Sequence, residues 1–115
     1  MRKILLIDDD PQMVTLLTTL LEIEGFRVDS SDGSGSVNAQ IQESRPDLIL
    51  LDVHLNEASG LDIVQTIRRD PDFATTTVVM SSGMDLAPEC LEAGADYFLL
   101  KPYMPDDLLH IFRED

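Results

Sequence analysis

Short apolar runs alternate with amphipathic stretches along this chain, and that rhythm predicts its elements. Ile4 to Ile7 reads as a buried strand. Asp10-Pro11 then opens a helix, with Asp10 placed to cap it and Pro11 at the first helical position, where a missing N–H is harmless. Met13, Val14, Leu16, Leu17, Leu20 and Leu21 recur at helical spacing, Glu22 ends the pattern and Gly25 stops the helix. Phe26 and Val28 mark a short second strand, and Asp32 to Gly35 a turn. Val37, Ala39 and Ile41 predict a weaker helix ending before Pro46. Leu48 to Leu51 is apolar without a break, the mark of a strand covered on both faces.

Beyond it, Ser59-Gly60 leads into a helix carrying Leu61, Ile63, Val64 and Ile67. Arg68 and Arg69 suit its C-terminal turn, and Asp70-Pro71-Asp72 breaks it. Thr77 to Met80, β-branched and apolar, is a fourth strand. A short helix from about Pro88 to Ala93 ends at Gly94, and Tyr97 to Leu100 is a fifth strand. Pro105-Asp106-Asp107 starts a final helix with Leu108, Leu109, Ile111 and Phe112. Five strands alternating with five helices imply right-handed crossovers and a parallel, doubly wound α/β sheet with helices on both faces. No linker, repeat or low-complexity segment divides the chain, so residues 1–115 are expected to form one domain.

Charge narrows the function. Eight Lys and Arg stand against 22 Asp and Glu, a net charge of −14, which argues against a nucleic-acid surface. A phosphate site remains compatible if a cation screens it. The single cysteine, Cys90, excludes an internal disulfide, fits a reducing compartment and is expected in the core. No apolar run reaches the roughly 20 residues of a membrane span, and Met-Arg-Lys followed by a short strand and three aspartates is unlike a secretory signal. The expected location is the cytoplasm, with no membrane contact.

The chemistry gathers at strand ends. Asp8 and Asp9 close the first apolar run and Asp52 closes the third, the positions where open α/β sheets place their ligands. Three carboxylates brought that close need a shared proton or a cation, and Mg²⁺, with its oxygen ligands and exchangeable waters, is the expected one. Lys101, at the tip of the fifth strand, can aim its ammonium into the cluster, and Pro102 after it is compatible with a cis bond. Ser82 follows the fourth strand, beside Gly83, and is taken as the hydroxyl that meets a phosphoryl oxygen; Ser81 is its rival, expected on the opposite face or still in the strand. Together these residues describe phosphoryl transfer onto Asp52 as nucleophile.

The ordered set Ile4-Leu-Leu-Ile-Asp-Asp-Asp-Pro11, Pro46-Asp-Leu-Ile-Leu-Leu-Asp52, Ser59-Gly60, Val78-Val-Met-Ser-Ser-Gly83 and Gly94-Ala-Asp-Tyr-Phe-Leu-Leu-Lys-Pro102 resembles the receiver domain of two-component response regulators. The resemblance runs from Lys3 to Phe112. It implies a flavodoxin-like sheet in strand order 2-1-3-4-5, and Mg²⁺ held by Asp8, Asp9, Asp52 and the backbone carbonyl of His54. It implies that Asp52 accepts phosphate from a histidine kinase or phosphotransfer protein, that Lys101 contacts the phosphate, and that Ser82 with the aromatic Phe98 forms the switch. Self-phosphorylation from a phosphodonor and autodephosphorylation would follow, rather than metabolic turnover. The implied output partners are an output domain or effector protein outside these residues, or a homodimer contact.

Several positions depart from the family pattern. Asn56 and Thr77 stand where proline is usual, the interval from Ser82 to Gly94 is short, and Pro88 interrupts it. These departures motivate an alternative, a receiver-like interaction module that works without phosphorylation. The side chain of His54 is a candidate gate for water attack on an acyl phosphate, and His110 is expected to be inert. Tyr97 and Tyr103 read equally as packing residues or as part of a partner face.

Overall fold

A computed structural model describes residues 2–114; Met1 and Asp115, the ends of the predicted domain, lie outside the described residues. Five strands, β1 (Lys3–Ile7), β2 (Arg27–Ser31), β3 (Leu48–Asp52), β4 (Thr77–Ser82) and β5 (Tyr97–Leu100), alternate with five helices, α1 (Pro11–Ile23), α2 (Val37–Ser44), α3 (Gly60–Arg69), α4 (Ala87–Ala93) and α5 (Pro105–Glu114). The sheet is parallel throughout and ordered β2-β1-β3-β4-β5. The expected doubly wound architecture and strand order are therefore both present.

Strand parity divides the core in two. Leu5, Ile7, Ile49, Leu51, Val78 and Met80 face α2, α3 and α4, packing on Ile41, Val64, Ile67 and Cys90. Ile4, Leu6, Leu48, Leu50 and Val79 face α1 and α5, packing on Leu17, Leu21, Leu108, Leu109 and Phe112. Every β3 residue is buried, as its unbroken apolar run predicts. Cys90 is fully buried and reduced, a packing residue.

Local chemistry sets the helix ends. Asp10 caps α1, its carboxylate accepting from the N–H groups of Gln12 (3.0 Å) and Met13 (3.4 Å). The Ser36 hydroxyl caps α2 at Ala39 N–H, and α2 ends on Arg45 in the left-handed region rather than on a glycine. Asp70-Pro71-Asp72 does end α3, but it then winds into a 3-10 turn, Pro71–Phe73, that buries Phe73. Pro88 does not interrupt α4: it lies in the first turn, where its missing N–H has no helical partner to lose. Arg68 ties α3 to the strands beyond it, donating to the carbonyls of Gly94 (2.7 Å) and Thr76 (2.7 Å) and pairing with Asp96 at 2.7 Å.

Candidate functional site

The two-residue repeat of a strand decides what meets at the carboxyl end of the sheet. Asp8 continues the parity of Ile4 and Leu6, Asp52 that of Leu48 and Leu50, and Lys101 that of Leu99, so all three emerge on the α1/α5 face. Lys101 Nζ lies 3.3 Å from Asp52 Oδ2 and 3.4 Å from Asp8 Oδ2. One carboxylate oxygen each from Asp8, Asp9 and Asp52 fall within 4.8 Å of one another. Asp8 and Asp52 are buried, and Asp9 is half-buried at the rim.

Asp8 is held from both sides, with Oδ1 accepting from Asp10 N–H at 2.9 Å and Oδ2 facing Lys101. Burial pushes the Asp52 carboxyl above the ordinary carboxylate range; Asp8 adds to the rise, while Lys101 and the His54 backbone N–H oppose it. Burial pulls the Lys101 ammonium down, but Asp52 and Asp8 together outweigh it and leave its pKa raised. The two shifts are compatible: one cation serves two buried anions, which suits the lysine more than either acid. The donor set, three convergent carboxylates with one ammonium, fits a hard divalent cation with oxygen ligands.

The two serines both stand at the carboxyl end of β4. Asp52 pairs in register with Ser81, and Ser81 with Leu99, so the Ser81 side chain shares the face of Asp52 and Lys101. Ser82, the last residue of β4, follows the parity of Val78 and Met80, and its hydroxyl accepts from Met84 N–H at 3.0 Å. Ser81 and Ser82 thus close β4 side by side, Ser81 beside Asp52 in register and Ser82 at the tip of the strand. The backbone of Ser82 does shape the site, because its carbonyl accepts from Lys101 N–H at 2.8 Å. The Lys101–Pro102 peptide bond is cis.

Phe98 is half-buried against the α2/α3/α4 core, in register with Met80. The His54 side chain is exposed, and its backbone bridges to Ser59 at the start of α3. Sequence reasoning undervalued two neighbours of the acceptor. A Cβ at Gly60 would collide with the carbonyl oxygen of Asp52 and stand 2.8 Å from Val53 Cα, so only glycine lets α3 begin there. Tyr103 packs on the α1/α5 core, and burial, with smaller contributions from Asp8 and Asp52, pushes its phenol up to about 12.

Residues 4–113 match the family model for the response regulator receiver domain. The chain belongs to the response regulator receiver family. It is 36% identical to the DNA-binding response regulator MtrA of Mycolicibacterium smegmatis over 109 residues, covering 94% of this chain and 47% of that protein. This receiver thus spans about half the length of the curated relatives it matches. Among solved structures it superposes on the chemotaxis response regulator CheY4 of Vibrio cholerae with a TM-score of 0.91 at 25% identity, covering 99% of this chain and 98% of that one. It also matches the BeF3-activated N-terminal receiver domain of RstA from Klebsiella pneumoniae, with a TM-score of 0.88 at 27% identity over 97% and 96% of the two chains. No described helix of the receiver is long and apolar enough to cross a membrane.

Proposed function

We propose that this receiver takes a phosphoryl group onto Asp52 from the phosphohistidine of a kinase or phosphotransfer protein. The observation that carries the reading is the placement of one buried carboxylate, Asp52, between a second carboxylate and an ammonium at 3.3 Å. Asp8, Asp9 and Asp52, with the His54 carbonyl, would hold Mg²⁺. Bound there, that ion neutralises charge on the phosphoryl oxygens. The rest is work for the chain's own side chains. The Asp52 carboxylate attacks phosphorus in line as the P–N bond to histidine breaks, giving an acyl phosphate and a neutral imidazole. The Lys101 ammonium, already in place, exchanges its contact with the carboxylate for one with a phosphoryl oxygen. Ser82, at the tip of β4, supplies the hydroxyl that a phosphoryl oxygen draws in, and half-buried Phe98, which shares the strand parity of Met80 and Ser82, is the aromatic that adjusts to it.

The intact carboxylate–lysine cluster speaks against a module that ignores phosphorylation, since an interaction surface has no need for buried like charges. Named MtrA relatives bind DNA and are about twice as long; the −14 charge of this chain supports no such role for residues 1–115. A cytoplasmic setting, where Cys90 stays reduced, goes with the reading. Incubation with acetyl phosphate and Mg²⁺ tests it. Intact mass should show one acid-stable, base-labile phosphoryl group that is absent from Asp52→Asn, and an equally labelled Asp52→Asn protein would refute the assignment.

A further inference from the structure

α2 and α3 pack on the same core cluster, and a cleft of about 320 Å³ lies between their N-terminal halves. Its floor is the core itself: Val37, Ile41 and Ile67 line it and are almost fully buried. Partly buried Ile63 and Ala58 line it as well. Small-molecule sites begin near 300 Å³, and an apolar cavity of roughly 150 Å³ already takes up benzene. The cleft therefore has room for one aromatic ring and a short chain. None of Asp8, Asp9, Asp52 and Lys101 lines it, so it is separate from the acceptor site.

The rim says what such a molecule should carry. Asp62 is the one charged residue lining the cleft. Its side chain is exposed and makes no salt bridge among the described residues. Ser59 precedes α3, but its hydroxyl makes no capping bond and stays open to a donor. A carboxylate and a hydroxyl oxygen suit an ammonium, which has three donors and no acceptor. An anion fits badly here. Ser36 already caps α2 at Ala39 N–H, Asp62 already brings negative charge to the first turn of α3, and the chain carries −14.

We propose that the cleft between α2 and α3 binds a small amphipathic cation, a primary amine joined by a short chain to one aromatic ring. The ring covers Ile41, Ile63 and Ile67, and the ammonium meets Asp62. The cleft exists without a phosphoryl group, so the proposal goes beyond the acceptor chemistry and does not depend on it.

The test titrates phenethylamine into the full ¹⁵N-labelled chain in excess Mg²⁺, which competes with the amine for the acidic cluster. Phenylpropionate keeps the ring and reverses the charge, and ethylamine keeps the charge without the ring. Phenethylamine should give saturable amide shifts confined to residues 35–41 and 58–67, alike in wild type and Asp52→Asn. A Kd on the order of 1 mM suits a ligand this small. Asp62→Asn should bind roughly three- to fivefold more weakly, the worth of one exposed ion pair. Thr66→Trp, at an exposed position where an indole can fill the cleft, should keep a native-like spectrum and lose the saturable shifts. Equal binding of phenylpropionate or of ethylamine, or shifts centred on Asp8, Asp9 and Asp52, would overturn the proposal. So would unchanged affinity in either variant, or shifts of the cleft residues with protein concentration alone, which would mark the cleft as a contact between two copies.

Discussion

Replacing Lys101 by methionine removes the one cation from the cluster while keeping most of its length. Lys101 Nζ lies 3.3 Å from Asp52 Oδ2 and 3.4 Å from Asp8 Oδ2, with the lysine side chain 25% exposed and each carboxylate side chain 9%. At an effective dielectric constant near 20, each contact is worth roughly 5 kcal/mol of gross attraction. Desolvation of the ammonium offsets much of that, and breaking a buried pair from one side costs about 3–5 kcal/mol in net stability. We expect Lys101→Met to lose about 3 kcal/mol at neutral pH in EDTA, measured by urea unfolding.

The pH dependence has a definite sign. The folded pKa of Lys101 is raised by Asp52 and Asp8 against the pull of burial, so its contribution is complete below the ordinary lysine pKa and is lost as pH rises through the folded value. At neutral pH it is fully present. Asp52, raised chiefly by burial, takes up its proton at a higher pH than an ordinary aspartate, so the cost of the substitution should shrink as the solution is acidified through that range. Millimolar Mg²⁺ should restore part of the loss by supplying a replacement cation. A variant within about 0.5 kcal/mol of wild type in EDTA at neutral pH, the range of an ordinary surface substitution, would refute the electrostatic account of the site.

Other outcomes follow from the same geometry. Ser82→Ala should still accept a phosphoryl group but show much smaller amide shifts with beryllofluoride than wild type, whereas Ser81→Ala should respond normally; the reverse pattern would move the switch to Ser81. Gly60→Ala forces a methyl against the Asp52–Val53 backbone and should cost about 2–3 kcal/mol in thermal or denaturant unfolding. In a Tyr97→Phe background, phenolate absorbance should show Tyr103 ionising near 12, above the usual tyrosine range because burial and the nearby acids disfavour the phenolate. Ionisation near 10 would place the ring in solvent instead.

Much of this molecule was legible because its signals were local and redundant. The apolar run Leu48 to Leu51 marked a strand buried on both faces, and Asp10-Pro11 marked a helix start through cap chemistry visible in two residues. Asp8, Asp9, Asp52 and Lys101 were found together because each follows the apolar run of its strand, and parallel strands align their ends. The same burial hid which face each serine takes. In a strand covered on both faces, Val78, Val79 and Met80 are all apolar, so no alternation of polar and apolar residues reveals which side Ser81 or Ser82 takes. Only the register, Asp52 beside Ser81, supplies it. The close approach of Gly60 to the acceptor backbone and the burial of Phe73 depend on contacts between segments distant in sequence, which periodicity does not encode.

The central claim is that Asp52 itself receives the phosphoryl group. Borohydride reduces an aspartyl phosphate to homoserine, so treatment of the phosphorylated protein followed by peptide mass analysis reads the acceptor directly. Homoserine at position 52, dependent on Mg²⁺ and on the phosphodonor, is the expected result. Homoserine at position 8 or 9, or a phosphoryl group retained on Ser81 or His54 after reduction, would contradict it.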